Sequence, residues 1–264
     1  MKARKADLYA KLRTDRFPRS GKYDPAWQIA NEMGPNALWL AEALCEEMEL
    51  KPGMRVLDMG CGRAMTSIFL AKEFGVEVWA NDLWISATDN WKRIREAGLE
   101  KQVFPIHAEA HALPYANDFF DAIVSLDSYQ SYGTDNLYLH YFLRFLKSRG
   151  QIGIVVPALM REFGKKIPAH LTKRTPTGKR FWEPNECFCF HTLAWWRRFW
   201  AQTDLVDVEH SDTVRDGWRD WLLFEEVKTT LGTNRNDDEL PALRADRGRY
   251  LGFVRMVARK RAAP

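Results

Sequence analysis

Four short stretches of this chain set acids and glycines at spacings that suit a nucleotide-like ligand. The first is Val56-Leu57-Asp58-Met59-Gly60-Cys61-Gly62-Arg63-Ala64-Met65-Thr66. An apolar strand runs into Asp58, a Gly-x-Gly bend follows, and a helical pattern begins. Glycines at 60 and 62 let the backbone pass close to a ligand where a Cβ would clash. A helix start directs its free N–H groups into the same space. Further along, Asp82 ends a strand-like run 22 residues after Gly60, with Leu83 beside it. A carboxylate there can accept both hydroxyls of an unphosphorylated ribose. Ala108-Glu109-Ala110, with Leu113-Pro114-Tyr115 after it, offers a place for an adenine edge. Asp127 ends a fourth strand.

A dinucleotide fingerprint requires glycine three positions after Gly62, and Met65 stands there. Asp58, two residues ahead of the first glycine, suits a ligand with positive charge rather than a pyrophosphate. The ammonium and sulfonium of S-adenosylmethionine answer that description. The expected cofactor contacts are therefore Asp58, Gly60, Cys61, Gly62, Asp82, Leu83, Ala108, Glu109, Ala110 and Asp127.

Methyl transfer from a sulfonium is a one-step displacement that needs chiefly alignment and a dry site. A general base is needed only where the acceptor must lose a proton. No catalytic triad is visible and no catalytic residue is assigned. On the acceptor side the candidates are Tyr23, Tyr129, Tyr132 and His191, with His111 in addition. Ser128 to Tyr132 directly follow the fourth strand and should face the methyl group, with Tyr129 able to orient an amine or an enolate. Cys187, Cys189 and His191 would share one side of an extended strand. A soft metal could sit there, but no fourth ligand stands at a usual spacing. The stretch therefore reads as structural, with no metal site.

These residues need elements to hold them. Apolar strands over 55–58, 76–81, 103–107, 122–126 and 151–156 alternate with helical patterns over 66–74, 86–98 and 136–146. Such alternation predicts a parallel sheet covered on both faces. A basic helix over 2–19, breaks at Gly21–Pro25 and Gly34-Pro35, and a helix opened by Asn36 form an N-terminal helical extension over 1–50. The domain proper spans 51–264, with insertions at about 157–190 and 211–248 that form a lid. Helix resumes at 192–201, and strands at 205–210 and 250–258 complete seven. The expected fold is a Rossmann-like, doubly wound α/β sheet.

With 264 residues, 46% hydrophobic and 28% charged, the chain can bury one large core. No apolar run reaches the roughly 20 residues needed to span a bilayer, which speaks against an integral membrane protein. Four cysteines make no disulfide framework at this length, and a cytoplasmic setting is expected. The net charge is only +4, yet Lys2–Lys22 and Arg161–Arg180 are basic patches. Eleven tryptophans suit a closed aromatic chamber built from Trp182, Trp195, Trp196, Trp218 and Trp221.

The motif set resembles class I S-adenosylmethionine-dependent methyltransferases of the small-molecule type, which include ubiquinone/menaquinone-biosynthesis-like and cyclopropane-synthase-like members. Residues 34–157 carry the likeness, the last two strands more loosely. Asp58-Met59-Gly60-Cys61-Gly62 matches the acidic-x-Gly-x-Gly loop, Asp82 the ribose acid, and Glu109 the acid beside adenine. Ala64 replaces the usual third glycine, and Lys147-Ser148-Arg149-Gly150 departs from the usual Pro-Gly-Gly turn. The resemblance implies methyl transfer from S-adenosylmethionine to a small-molecule amine, hydroxyl or activated carbon. A cyclopropane-type lipid modification, an RNA methyltransferase using the basic insertions, a nicotinamide oxidoreductase and a non-catalytic nucleotide-pocket module stand as alternatives. Nucleic acid is disfavoured, because Asp127-Ser128-Tyr129 lacks the Pro-Pro of base amino-methyltransferases. A homodimer is left open.

Overall fold

A computed structural model describes residues 2–234 and 238–262. Seven strands are formed: β1 (Arg55–Met59), β2 (Glu77–Asp82), β3 (Val103–His107), β4 (Phe120–Leu126), β5 (Leu146–Leu159), β6 (Val206–Thr213) and β7 (Leu251–Lys260). They make one sheet in the order β3-β2-β1-β4-β5-β7-β6. The first five pair in parallel, as their alternation with helices requires. β7 runs antiparallel between β5 and β6, so the sheet is mixed rather than wholly parallel.

Eleven helices are described: α1 (Lys2–Ala10), α2 (Pro25–Asn31), α3 (Ala37–Cys45), α4 (Met65–Phe74), α5 (Ala87–Glu96), α6 (Tyr138–Phe142), α7 (Ala169–Thr172), α8 (Pro184–Cys187), α9 (Leu193–Ala201), α10 (Gly217–Leu231) and α11 (Glu239–Asp246). Their starts follow the sequence's capping residues. The Asn36 side chain accepts from Leu38 N at 3.1 Å, and Ser86 accepts from Asp89 N at 3.1 Å. Successive strand residues bury on opposite faces. Val56, Val78 and Ala80 meet the core that holds Trp39, Phe69 and Phe224. Leu57, Ile123 and Ile152 meet the one that holds Tyr138, Trp196 and Trp200. Burial on both faces explains why the central strands read as unbroken apolar runs.

The structure differs from the sequence reading in four places. The first helix ends at Ala10 rather than near residue 19. Pro18 disfavours helix at Phe17, and Phe17 instead stacks on Trp39 at 5.5 Å. The helix expected over 136–146 is only Tyr138–Phe142 plus one 3-10 turn, because Leu146 already pairs with Phe120 in β5. The expected turn at Lys147–Gly150 becomes an irregularity within β5, where Arg149 takes φ 66°. Finally, Cys187 ends the one-turn α8, which begins at Pro184. The extended strand that would have aligned Cys187, Cys189 and His191 is therefore not formed. The two thiols donate to the carbonyls of Phe181 and Glu186.

The segment over 1–50 is more than an appendage. Residues Leu38–Cys45 of α3 are buried throughout, and Gly153 of β5 leaves room for Met48. The insertions pack on the body as well: Phe181 lies 5.9 Å from Trp221, and Trp221 lies 5.1 Å from Phe253 of β7.

Candidate functional site

A cavity of about 290 Å³ opens at the carboxyl ends of the parallel strands, where open α/β sheets bind ligands. Its walls come from successive strand tips. Glu109 to His111 follow β3, Asp82 to Trp84 follow β2, Gly60 to Arg63 follow β1, and Asp127 and Ser128 follow β4. Because those strands are neighbours in this order, the residues range along the cavity in the same order.

The bend after β1 is held by the tip of β2. Gly60 N and Cys61 N donate to Asn81 O at 2.9 and 3.0 Å. Gly62 N donates to Asp82 Oδ2 at 2.8 Å, and Asn90 Nδ2 donates to Gly62 O at 2.9 Å. Both glycines are required. Gly60 has φ +75°, and a Cβ there would lie 1.9 Å from Ser128 Oγ. Gly62 has φ +54°, and its Cβ would lie 3.0 Å from Met33 Sδ. Asp82 Oδ1 accepts from Trp84 N and Ile85 N at 2.8 and 2.9 Å, which fixes the carboxylate in the wall. Beside it Leu83 and Trp84 stand 51% and 80% exposed and form an apolar rim.

Asp58 lies behind this bend rather than in the cavity wall. Its Oδ2 accepts from the Thr66 and Ser67 hydroxyls at 2.5 and 2.6 Å, tying β1 to the first turn of α4. Its Oδ1 is buried without a partner among the described residues. Burial raises its pKa to about 6, against the pull of those two hydroxyls. Burial likewise holds the Cys61 thiol well above its ordinary pKa, so it lines the cavity as a neutral group.

Glu109 is exposed and held by its neighbour. Its Oε2 accepts from His111 N at 2.8 Å and its Oε1 lies 2.8 Å from His111 Nδ1. The His111 ring's hydrogen bond keeps this carboxyl below its ordinary pKa. Ala108 does not line the cavity; it donates to Asp82 O at 3.1 Å and accepts from Asn81 Nδ2 at 3.1 Å, joining β2 to the loop after β3.

Asp127 takes φ +51° at the end of β4, and its N donates to Val155 O at 2.9 Å. Burial first, and Glu239 second, raise its pKa to about 7. The next residues turn through a 3-10 helix, Tyr129–Ser131, which sends the two tyrosines different ways. Tyr132 lines the cavity, its hydroxyl 2.9 Å from Ser125 Oγ and donating to Met59 O at 3.2 Å. Tyr129 is turned into the core among Tyr138, Phe142, Trp196 and Trp200, away from the space the sequence reading gave it.

Two further candidates also lie outside the cavity wall. Tyr23 stacks on Trp27 at 5.8 Å and donates to Glu73 Oε1 at 3.4 Å. His191 stacks on Trp195 at 3.7 Å. Of the expected aromatic chamber, Trp182, Trp196 and Trp221 are core and Trp195 and Trp218 are half-buried outside the cavity wall. Trp196 and Trp200 fall four apart on α9, so both face the sheet and are fully buried. Trp182 packs on Phe163 at 4.6 Å. Sequence reasoning missed the wall formed by Asn31, Met33, Gly34, Pro35 and Ala37. The Gly34-Pro35 break was its signal. Gly34 is needed because a Cβ there would lie 2.3 Å from Asp127 Oδ2.

The model of the mycolic acid cyclopropane synthetase family matches residues 39–172, which include every strand-tip loop of the cavity. A methyltransferase of Streptomyces halstedii, GfsG, is 30% identical over 139 residues, 52% of this chain and 48% of that protein. The chain thus spans about half the length of that relative. A demethylmenaquinone methyltransferase of Corynebacterium efficiens is 27% identical over 75% of this chain and 81% of its own. Among solved structures, geranyl diphosphate C-methyltransferase from Streptomyces coelicolor, in complex with Mg2+, geranyl diphosphate and S-adenosyl-L-homocysteine, has the same fold. It aligns with TM-score 0.62 and 18% identity over 83% of this chain and 78% of that one. Fold, cavity and family match agree: the chain belongs to the mycolic acid cyclopropane synthetase family.

Proposed function

We propose that this protein transfers a methyl group from S-adenosylmethionine to a small-molecule acceptor. The observation that carries the reading is the coupling of Asp82 to the glycine bend: one carboxylate both grips Gly62 N and lines the cavity. The residues fit the cofactor. Gly60 and Gly62 leave a cradle that a Cβ would fill, Asp82 Oδ2 keeps one lone pair for a ribose hydroxyl, and Glu109, Ala110 and Leu83 border the adenine end. Asp58 contributes negative potential from behind the bend and positions α4. When bound, the cofactor supplies an electrophilic methyl group. The chain's own part is to align the acceptor and to exclude water, tasks that account for much of the acceleration of such displacements.

Calorimetry with S-adenosylmethionine and S-adenosylhomocysteine tests this. Micromolar binding is expected, as is a loss of at least about tenfold, some 1.4 kcal/mol, in Asp82→Ala. Binding of NAD instead, or affinity untouched by Asp82→Ala, overturns it. The family match favours cyclopropane-type modification of a lipid as a second reading. Turnover of unsaturated phospholipid vesicles, with no transfer to soluble acceptors, would select it. Among the described residues no helix is long and apolar enough to cross a membrane. We place the protein in the cytoplasm, a reading supported by its four buried, unpaired cysteines.

A further inference from the structure

Resting on the methyl-transfer reading, the chemistry at one end of the cavity narrows the acceptor. The strand tips place the nucleoside residues over β3 and β2, the bend over β1, and Asp127 with Ser128 over β4. The β4 end is therefore the end beyond the cofactor's methionine part, where the acceptor must meet the methyl group. We propose that the acceptor is a small amine and that Asp127 binds its ammonium and takes its proton.

The site is built around that carboxylate. Gly34 makes room for Oδ2, since any side chain there would collide with it. The buried Gln130 side chain donates to Oδ1 at 3.4 Å while its own Oε1 has no partner among the described residues. Two charges of the second insertion act on the same point, Glu239 at the start of α11 and Lys228 on α10, and the neutral thiol of Cys189 after α8 feels Asp127 in turn. Lys228 does not neutralise Asp127, because it is already engaged. Its Nζ lies 2.5 Å from Glu225 Oε1, 3.3 Å from Glu32 Oε2 and 3.4 Å from Gly34 O. One lysine thus stands against Glu32, Glu239 and Asp127, while Glu225, its pKa raised by burial to about 8, is mostly protonated at neutral pH. An alkoxide or enolate forming here would be repelled, whereas an ammonium is attracted and leaves a product that is still a cation. Burial first, then Glu239, raises the Asp127 pKa to about 7 against the pull of Gln130 and Lys228, so this carboxylate accepts a proton readily near neutrality.

The step balances. The ammonium proton passes to the Asp127 carboxylate, giving a neutral amine and a carboxylic acid. The nitrogen lone pair forms the N–C bond as the methyl–sulfur bond breaks, with that bond's electrons remaining on sulfur as a thioether. The methylated ammonium leaves, and Asp127 returns its proton to solvent.

The test is calorimetric titration of the S-adenosylhomocysteine-loaded protein with straight-chain primary amines and with alcohols of the same lengths. S-adenosylhomocysteine production from S-adenosylmethionine is followed with both series. Amines should bind at least about tenfold more tightly than alcohols, more tightly above pH 7 than below it, and they alone should be turned over. Asp127→Asn should cost at least about tenfold in amine affinity and leave S-adenosylhomocysteine affinity unchanged. Should that variant fail to fold, Glu239→Gln should weaken amine binding about threefold through lost charge alone. Amines no better than alcohols, or amine affinity indifferent to both substitutions, overturns the inference. So does a parallel loss of S-adenosylhomocysteine affinity in Asp127→Asn, which would put Asp127 on the cofactor. Failure of the wild type to bind S-adenosylhomocysteine at all is a different result, and sinks the methyl-transfer reading itself.

Discussion

Asp82 Oδ2 accepts the Gly62 amide proton at 2.8 Å, so the tip of β2 holds the loop that leaves β1. The other oxygen is occupied by Trp84 N and Ile85 N, so one side chain joins two strand tips and the rim of the cavity. Asp82→Asn keeps one acceptor oxygen and removes the charge. It should retain the fold, lower Tm by a few degrees, and weaken S-adenosylhomocysteine binding less than Asp82→Ala does. Thermal melts and calorimetry on the two variants check the order; equal losses would mean that shape alone matters here.

Gly60→Ala tests the crossing of the bend over Ser128. The substitution forces an L-residue to φ +75° and drives its Cβ to 1.9 Å from Ser128 Oγ. A cost of roughly 1–3 kcal/mol is expected from the backbone alone, with the collision in addition. Adding Ser128→Gly should recover the collision part and leave the backbone part. Urea midpoints for the single and double variants measure both. If the double variant recovers nothing, the contact described here is wrong.

Four carboxyls raised by burial fix a pH window for stability: Asp58 and Asp127, and also Asp220 at about 6 and Glu225 at about 8. Asp58 and Asp127 titrate near 6 and 7 in the folded chain, against an ordinary value of 3.8. The folded state therefore binds protons more tightly than the unfolded state across that interval. Stability from these groups is highest below about pH 4 and declines as pH rises through 6 and 7. Glu209 and Asp212 are lowered instead, by Arg259 and Arg255, and their contribution disappears only below their ordinary values. Stability of the ligand-free protein should thus decline between about pH 5 and pH 8, and Asp127→Asn should lessen the part of that decline below about pH 7. A rise across the interval would contradict the burial described.

Lys228→Met removes the cation from Glu225 and Glu32 while keeping most of the side-chain volume. Breaking a buried ion pair costs about 3–5 kcal/mol. Glu225, whose pKa burial already pushes up to about 8, should then stay protonated at neutral pH and absorb part of that cost. The variant should melt lower, with a larger deficit at pH 9 than at pH 6. A deficit independent of pH would show that only packing was lost.

Trp196→Ala opens a void in the core beside Tyr129 and Trp200, where the indole is fully buried. Losses of about 3–5 kcal/mol follow from truncations of this size. Methyl-donor binding, measured at low temperature, should be spared, because no atom of this ring lines the cavity. A selective loss of binding without a loss of stability would return Trp196 to the site.

The strands and the glycine bend after β1 were legible because their signals are local. Apolar runs buried on both faces, a glycine pair with φ > 0, and an acid at a strand tip are each written in consecutive residues. The capping residue Asn36 was equally plain and caps as expected, and Ser86 and Thr192, at the starts of two expected helices, cap theirs as well. What failed was direction. Tyr129 and Tyr132 stand three apart, and only the left-handed turn at Asp127 decides which one enters the cavity. The tryptophans of α9 look the same in sequence whether they line a pocket or a core; the helix's burial against β6 settles it. The wall from Asn31 to Ala37 depends on tertiary packing, which the sequence shows only as a break. Lys228 and Glu32 lie 196 residues apart, and no pattern in the sequence joins them.

The place of β7 has a consequence for how the molecule is made. Residues 251–260 emerge from the ribosome after every other strand, yet they form the seam that β5 and β6 share. Until they arrive β6 has no neighbour, and β5 presents an open edge that invites pairing with a stranger. During synthesis the nascent chain can shape the half that carries the cavity early, but β5 and β6 are joined only once residues 251–260 are in place. A stall or cleavage ahead of Leu251 would therefore release a sticky half-sheet rather than a smaller stable fold.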